Sequence, residues 1–197
     1  MQGNRRDHVT TMFEDRISDY VEGVAAKYLS AVDAEPAKSN QHEIGGLPKA
    51  GFKAWLGTPA KHEVFRYRCR QIYISDENEE PLICDSSVTW YDCRRNVEHR
   101  GPEYRLYYYD SPVTSLIQEG DFFLVAKLCP DVLPLKEVAT PEDGHETKNG
   151  SLLMIFAPAD SSAERQLRHL FGIDKPGDGF KPIPLPISPS PAVTISS

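Results

Sequence analysis

The 197-residue sequence predicts an α+β domain, mainly β, in which an open sheet or barrel is flanked by helices. Three observations carry this expectation. Residues 64–74 alternate between arginines and apolar or aromatic side chains, the two-residue period of a half-buried strand. Four further runs, 82–91, 104–109, 122–128 and 151–157, are rich in aromatic and β-branched residues and are separated by polar, turn-forming segments. Helical spacing, by contrast, is confined to the two ends.

Taken in order, residues 11–29 read as a helix. Thr11 and Glu14 fit a capping box, and Phe13, Ile17, Val21, Val24 and Tyr28 recur at three- and four-residue steps. Residues 33–47 are polar and glycine-punctuated, as in a loop. Pro48 suits the first turn of a short helix carrying Phe52, Trp55 and Leu56, with Gly57 after it. In the strand at 64–74, Arg66, Arg68 and Arg70 fall on one face and Phe65, Tyr67, Cys69 and Tyr73 on the other. Ser161 and Glu164 fit a second capping box, opening a helix with Leu167, Leu170 and Phe171 as its stripe and Gly172 at its end. From Lys175 onward, Pro176, Pro182, Pro184, Pro186, Pro189 and Pro191 alternate with small and polar residues. The expected organisation is a domain over 1–174 and a Pro-rich linker over 175–197 leading to a further domain.

Composition narrows the function class. Hydrophobic residues make up 40% and charged residues 26%, as in an ordinary globular chain, and no run approaches the roughly 20 apolar residues of a membrane span. The polar N-terminus lacks a signal-peptide core, so a cytoplasmic setting is expected. Cys69, Cys84, Cys93 and Cys129 have irregular spacing without C-x-x-C, which argues for packed, reduced thiols over a zinc site. The net charge of −7 counts against nucleic acid, but its distribution is uneven. Lys49, Lys53, Lys61, Arg66, Arg68 and Arg70 stand against Glu63 alone between 49 and 70, whereas Asp76, Glu77, Glu79 and Glu80 cluster beyond.

Four constellations could carry chemistry. Pro130-Asp131 followed by Glu146-Thr147-Lys148 has the form PD…ExK, in which two carboxylates hold a divalent metal and the lysine helps activate water. Its surroundings read as a polar loop, where such groups would not be held rigidly. Arg66, Arg68 and Arg70 would stand roughly 6–7 Å apart, near the spacing of phosphates along one DNA strand; a solvent face paired with acidic neighbours is the alternative. The loop Lys38-Ser39-Asn40-Gln41-His42-Glu43 offers amides for adenine and cations for guanine or phosphate. The stretch Asp85-Ser86-Ser87-Val88-Thr89-Trp90-Tyr91-Asp92-Cys93-Arg94-Arg95-Asn96 joins hydroxyls, a carboxylate able to accept from cytosine and two arginines; an ordinary hairpin is the alternative. G-x-S-x-G, phosphate-loop and H-E-x-x-H patterns are absent.

In order, these pieces resemble the N-terminal effector-binding domain of EcoRII-type restriction endonucleases. Lys27-Tyr28-Leu29-Ser30-Ala31-Val32-Asp33 is similar to the family's K-R-L-S-A-x-D. Asn40-Gln41-His42 stands where the family carries Gly-His-Gln. The likeness continues through Pro48, Arg70-Gln71-Ile72-Tyr73, Val88-Thr89-Trp90 and the late strands and closing helix, over roughly residues 12–173. The resemblance implies a DNA-binding pseudobarrel like that of plant transcription factors, with two arms in the major groove of a CC(A/T)GG site, about Lys27 to Pro48 and Asp85 to Asn96. It implies double-stranded DNA as partner, a C-terminal nuclease domain using Mg2+, and no cofactor for this domain. Lys27, Lys49, Arg94 and Arg95 would contact phosphate, and Asn40, Gln41, His42 and Asp85 would read bases, with Ser30, Lys38, Arg70, Ser86, Ser87, Thr89 and Asn96 beside them. Two departures stand out. Gln41-His42 reverses the family order, and Cys84-Asp85-Ser86-Ser87 replaces a basic stretch, which shifts phosphate contact toward Arg94, Arg95 or the strand arginines. A nuclease using Asp131, Glu146 and Lys148, and a protein-interaction module, are the competing readings.

Overall fold

The computed structural model describes residues 17–34, 42–133, 135, 145–177 and 179–185, the Glu146 side chain excepted. It is α+β and mainly β: an open, curled eight-stranded sheet, a half-barrel, with few helices. In chain order the elements are α1 (Ile17–Tyr20), β1 (Val21–Tyr28), α2 (Ala31–Ala34), β2 (Glu43–Ile44), a 3-10 turn (Leu47–Ala50), α3 (Phe52–Leu56), β3 (Val64–Tyr73), β4 (Leu82–Asp92), β5 (Tyr104–Tyr108), β6 (Phe122–Leu128), β7 (Glu146–Ala157), α4 (Ser162–Leu170) and β8 (Lys181–Ile183). The strand order is β2-β5-β4-β3-β7-β6-β1-β8. Every pairing is antiparallel except β3 with β7.

The four strands expected at 82–91, 104–109, 122–128 and 151–157 are present, the last beginning earlier, at Glu146. On β3, Phe65, Tyr67, Cys69 and Tyr73 face the core as expected. That core lines the inside of the curl. Ile44 of edge strand β2 and Phe180, just before the opposite edge strand β8, belong to the same cluster, so the two sheet edges bend toward each other. Phe52 and Leu56 of α3 fill the opening. The Tyr67 hydroxyl donates to Leu56 O at 2.7 Å and Trp90 Nε1 to Gly57 O at 3.0 Å, so the buried ends of two large rings also cap α3. A second cluster lies on the other face, where Leu167 of α4 covers β1, β6 and β7. Ser161 caps α4 by accepting from Glu164 N at 3.1 Å. Leu170, expected in the apolar stripe, is instead exposed.

Three expectations are corrected. The predicted helix at 11–29 is helical only over Ile17–Tyr20 within the described residues, and Val21–Tyr28 is a strand; Thr11, Phe13 and Glu14 lie outside them. Its apolar spacing misleads because β1 lies between β6 and β8 and is buried on both faces, which removes the alternation that marks a strand. Gly23 is a telling residue there. A Cβ at that position would lie 2.1 Å from the Trp55 ring. Gly23→Ala is therefore expected to cost about 1–3 kcal/mol by overpacking, read as a lower chemical-denaturation midpoint with altered tryptophan fluorescence. Second, the supposed linker packs on the domain as far as Leu185. Pro176 and Phe180 are buried, Lys181–Ile183 pairs with β1, and Leu185 lies against the second cluster. Pro182 is tolerated because β8 is an edge strand. Third, Glu146–Lys148 opens β7 and is not a loop.

Candidate nucleic-acid interface

The sheet separates charge along its strands. The turn between β3 and β4 carries Asp76, Glu77, Glu79 and Glu80. At the other end, the connections at 57–63 and 93–103 carry Lys61, His62, Arg94, Arg95, His99 and Arg100. Those two connections enclose a depression of about 700 Å3 lined by Lys61, Arg94, Arg95, His99 and Arg100, with Glu98 and Asp92. The carboxylates nearby are largely engaged. Glu103 binds Arg94 and, at 2.7 Å, Arg105. Bonds from Arg105 hold the Glu103 carboxyl below its ordinary range. Asp92 Oδ1 accepts from Arg94 N and Glu103 N, each at 2.9 Å, and so shapes the turn. Among the described residues, no carboxylate lies within ion-pair distance of Lys61, Arg95 or Arg100.

Beside this depression, the face of β3, β4 and β5 opposite the core inside the curl forms a cleft of about 410 Å3 lined by His62, Val64, Thr89, Tyr91, Arg95, Tyr107, Tyr109 and His145. The register explains the gathering. Val64 opposes Tyr91, and Tyr107 opposes Thr89, so side chains distant in sequence share one face. The Arg95 guanidinium lies 4.9 Å from the Tyr91 ring centre and lines both the depression and the cleft. Burial, and then the Glu43 carboxylate that accepts its hydrogen bond, push the Tyr91 phenol above its ordinary range. Glu43 also accepts from Arg105 at 2.7 Å, tying β2 to the base of the 93–103 connection. Although burial opposes its charge, Glu103 and Glu43 hold the Arg105 guanidinium protonated. His42 stacks on Tyr107 with centroids 5.9 Å apart, and its Nδ1 lies 3.4 Å from Asp110.

Of the residues singled out from sequence, His42, Arg94 and Arg95 gather here; Thr89 lines the cleft but is only 5% exposed. Asn96 is exposed in the same connection, and Lys49 is exposed on the 3-10 turn. Lys38, Asn40 and Gln41 lie outside the described residues. Others are placed differently from the expectation. Lys27 is buried, donates to Asp33 at 2.7 Å and sits over Phe180, so it does not present a cation to phosphate. Ser30 is exposed, but its hydroxyl donates to the same carboxylate at 2.5 Å. The K-x-L-S-A-x-D run is thus a folding unit. Arg70 and Asp85 form a two-pronged pair at 2.6 and 2.9 Å, which occupies the carboxylate assigned to cytosine. Ser86 and Ser87 are buried in the middle of β4, and Arg66 is 1% exposed. Only Arg68 of the arginine face is exposed, so these three cannot track a backbone. Asp85–Asp92, most of the second arm that the resemblance implies, is therefore sheet, and only the residues from Cys93 to Asn96 lie in the connection that follows it.

The sequence shows Lys61 only as one of six basic residues between 49 and 70, and gives no prominence to His62, Arg100, Tyr107 and Tyr109. The signal for the last two was a pair of tyrosines at i and i+2 beside a core-facing Tyr108, which puts rings on the face opposite the core. Asp131 and Lys148 line one further depression of about 560 Å3 together with Arg68, and the Lys148 ammonium lies 3.9 Å from the Phe65 ring centre. Among the described residues, no group of three or more His, Cys, Asp or Glu side chains is placed to hold a metal. Nor, among them, is any helix long and apolar enough to cross a membrane. Compared with protein-family models and with curated proteins, the chain matches none.

Proposed function

We propose that the chain binds double-stranded DNA with sequence preference, as the target-recognition domain of an EcoRII-like restriction endonuclease whose Mg2+-dependent nuclease is a separate domain. One observation carries the reading: Lys61, Arg95 and Arg100 gather without carboxylate partners, among the described residues, at one end of an otherwise acidic chain. An acidic protein gains little from diffuse attraction to phosphate, so focused cations have to supply it. The K-x-L-S-A-x-D resemblance supports the same reading. In this reading Lys61, Arg95 and Arg100 hold phosphates, and His42 and Asn96 meet base edges.

The test is a gel shift on a CC(A/T)GG duplex in EDTA at two salt concentrations, with a scrambled duplex as control. Arg100→Ala is expected to weaken binding to both duplexes and to lower the salt slope by about one unit. His42→Ala is expected to cost about 1–3 kcal/mol on the specific duplex only. Wild-type affinity and slope in both variants would sink the reading.

A metal-dependent nuclease is the second reading. It is favoured by the start of β7 at Glu146, which puts the ExK run on a strand, and by Asp131 and Lys148 lining one depression. Cleavage in magnesium that Lys148→Ala abolishes would select it over the first.

A further inference from the structure

We propose that Glu103 is an autoinhibitory carboxylate that holds Arg94 back from nucleic-acid phosphate and so caps the affinity of the chain for any duplex. This rests on the DNA-binding reading and adds to it a restraint built into the same site. Lys61, Arg94, Arg95 and Arg100 line one depression, yet among the described residues Arg94 alone of these four meets a carboxylate. That carboxylate divides its oxygens between two arginines. Glu103 Oε1 accepts from Arg105 at 2.7 and 3.0 Å, and Oε2 pairs with Arg94. The two arginines are not equivalent. Arg105 also donates to Glu43 at 2.7 Å, so it keeps a carboxylate when Glu103 loses its charge. Arg94 has no second carboxylate among the described residues, so the same change sets it free.

The pair suits exchange. The Arg94 and Glu103 side chains are 38% and 30% exposed, and an ion pair that water reaches is weak. A phosphate offers the guanidinium the same sign of charge and the same paired oxygens as a carboxylate. Exchanging one for the other therefore gains little, and it leaves Glu103 facing the DNA backbone with like charge. Phosphates carry no sequence information, so the restraint acts on cognate and scrambled duplexes alike. The connection itself does not depend on the pair. Asp92 Oδ1 accepts from Arg94 N and Glu103 N, and Cys93 N donates to Glu103 O, each at 2.9 Å. These bonds hold the backbone of both residues, so Glu103→Gln changes the charge without undoing the turn.

The experiment uses the full chain and end-labelled CC(A/T)GG and scrambled duplexes, with affinity read by fluorescence anisotropy over a series of salt concentrations. Glu103→Gln is expected to bind both duplexes several-fold more tightly than wild type and to steepen the salt slope by about one unit, the mark of one added phosphate contact. The same substitution made on an Arg94→Ala background should lose most of that gain, because the gain acts through Arg94. Arg94→Ala alone should leave the wild-type slope unchanged, since a withheld arginine releases no counterions. Binding by wild type with no gain in Glu103→Gln overturns the restraint and leaves the DNA-binding reading standing. A gain that persists without Arg94 also overturns it, because loss of any negative charge would then suffice. So does a slope that falls by a full unit in Arg94→Ala, which would make Arg94 an ordinary phosphate contact. Failure of both wild type and Glu103→Gln to bind either duplex overturns both readings.

Discussion

Asp33→Ala is expected to destabilise the domain by about 3–5 kcal/mol, the cost of leaving a buried ammonium without its partner. Lys27 and Asp33 side chains are each 6% exposed, and their charges meet at 2.7 Å. The carboxylate does more than neutralise Lys27. It accepts from Ser30 N at 2.9 Å and from the Ser30 hydroxyl, closing the turn into α2, while the Asp33 carbonyl accepts from the Tyr108 hydroxyl at 2.7 Å. One short segment thereby ties β1, α2 and β5 together. Burying a charge pair costs desolvation, so the pair itself need not be strongly stabilising; removing one member is the damaging change. The double variant Lys27→Met with Asp33→Ala should accordingly recover much of the loss. Denaturant melts of the two single variants and the double variant test this directly. If Asp33→Ala alone lies within about 0.5 kcal/mol of wild type, the pair has no structural role of the kind described.

Phe180→Ala is expected to cost a comparable amount, about 3–5 kcal/mol. The residue is 8% exposed, meets Phe123 edge-to-face with centroids 5.6 Å apart and lies under the Lys27 ammonium at 5.0 Å. It belongs to the core inside the curl although it comes from the Pro-rich end of the chain. Deletion from residue 178 onward should do further harm, since it also removes the strand that pairs with Val24, Ala25 and Ala26. Thermal melts distinguish the two accounts of this segment. A deletion variant that melts at the wild-type temperature would restore the view of residues 178–185 as linker.

His42, Arg94, Arg95 and Asn96, expected from the resemblance at the site, lie in or beside the connections at one end of the sheet, whereas other expected site residues are buried or paired. Lys27 carries the likeness in sequence yet serves packing in the structure; Ser86 and Ser87, which depart from the family's basic stretch, are buried, and Asp85 is engaged by Arg70. Residues matched within a motif keep their role in folding more readily than a surface role, because burial restricts what can replace them.

The sequence by itself determined the elements whose periods are local. β3, β4, β5, β6, the body of β7, the short helix after Pro48 and the Ser161 cap are legible because alternation, aromatic content and capping residues act over a few neighbours. Only the tertiary structure decided the rest. β1 is a strand because β6 and β8 bury both its faces, and the same apolar run would fit a helix without them. β8 is ordered because the edge of β1 accepts it despite its prolines. The cations divide in the same way. Arg70 and Lys27 are neutralised by Asp85 and Asp33, while Lys61, Arg95 and Arg100 converge from two separate connections without a carboxylate partner among the described residues. Charge pairing falls off within a few ångströms, so which arginine remains available is set by the neighbours that folding brings to it, not by those adjacent in the chain.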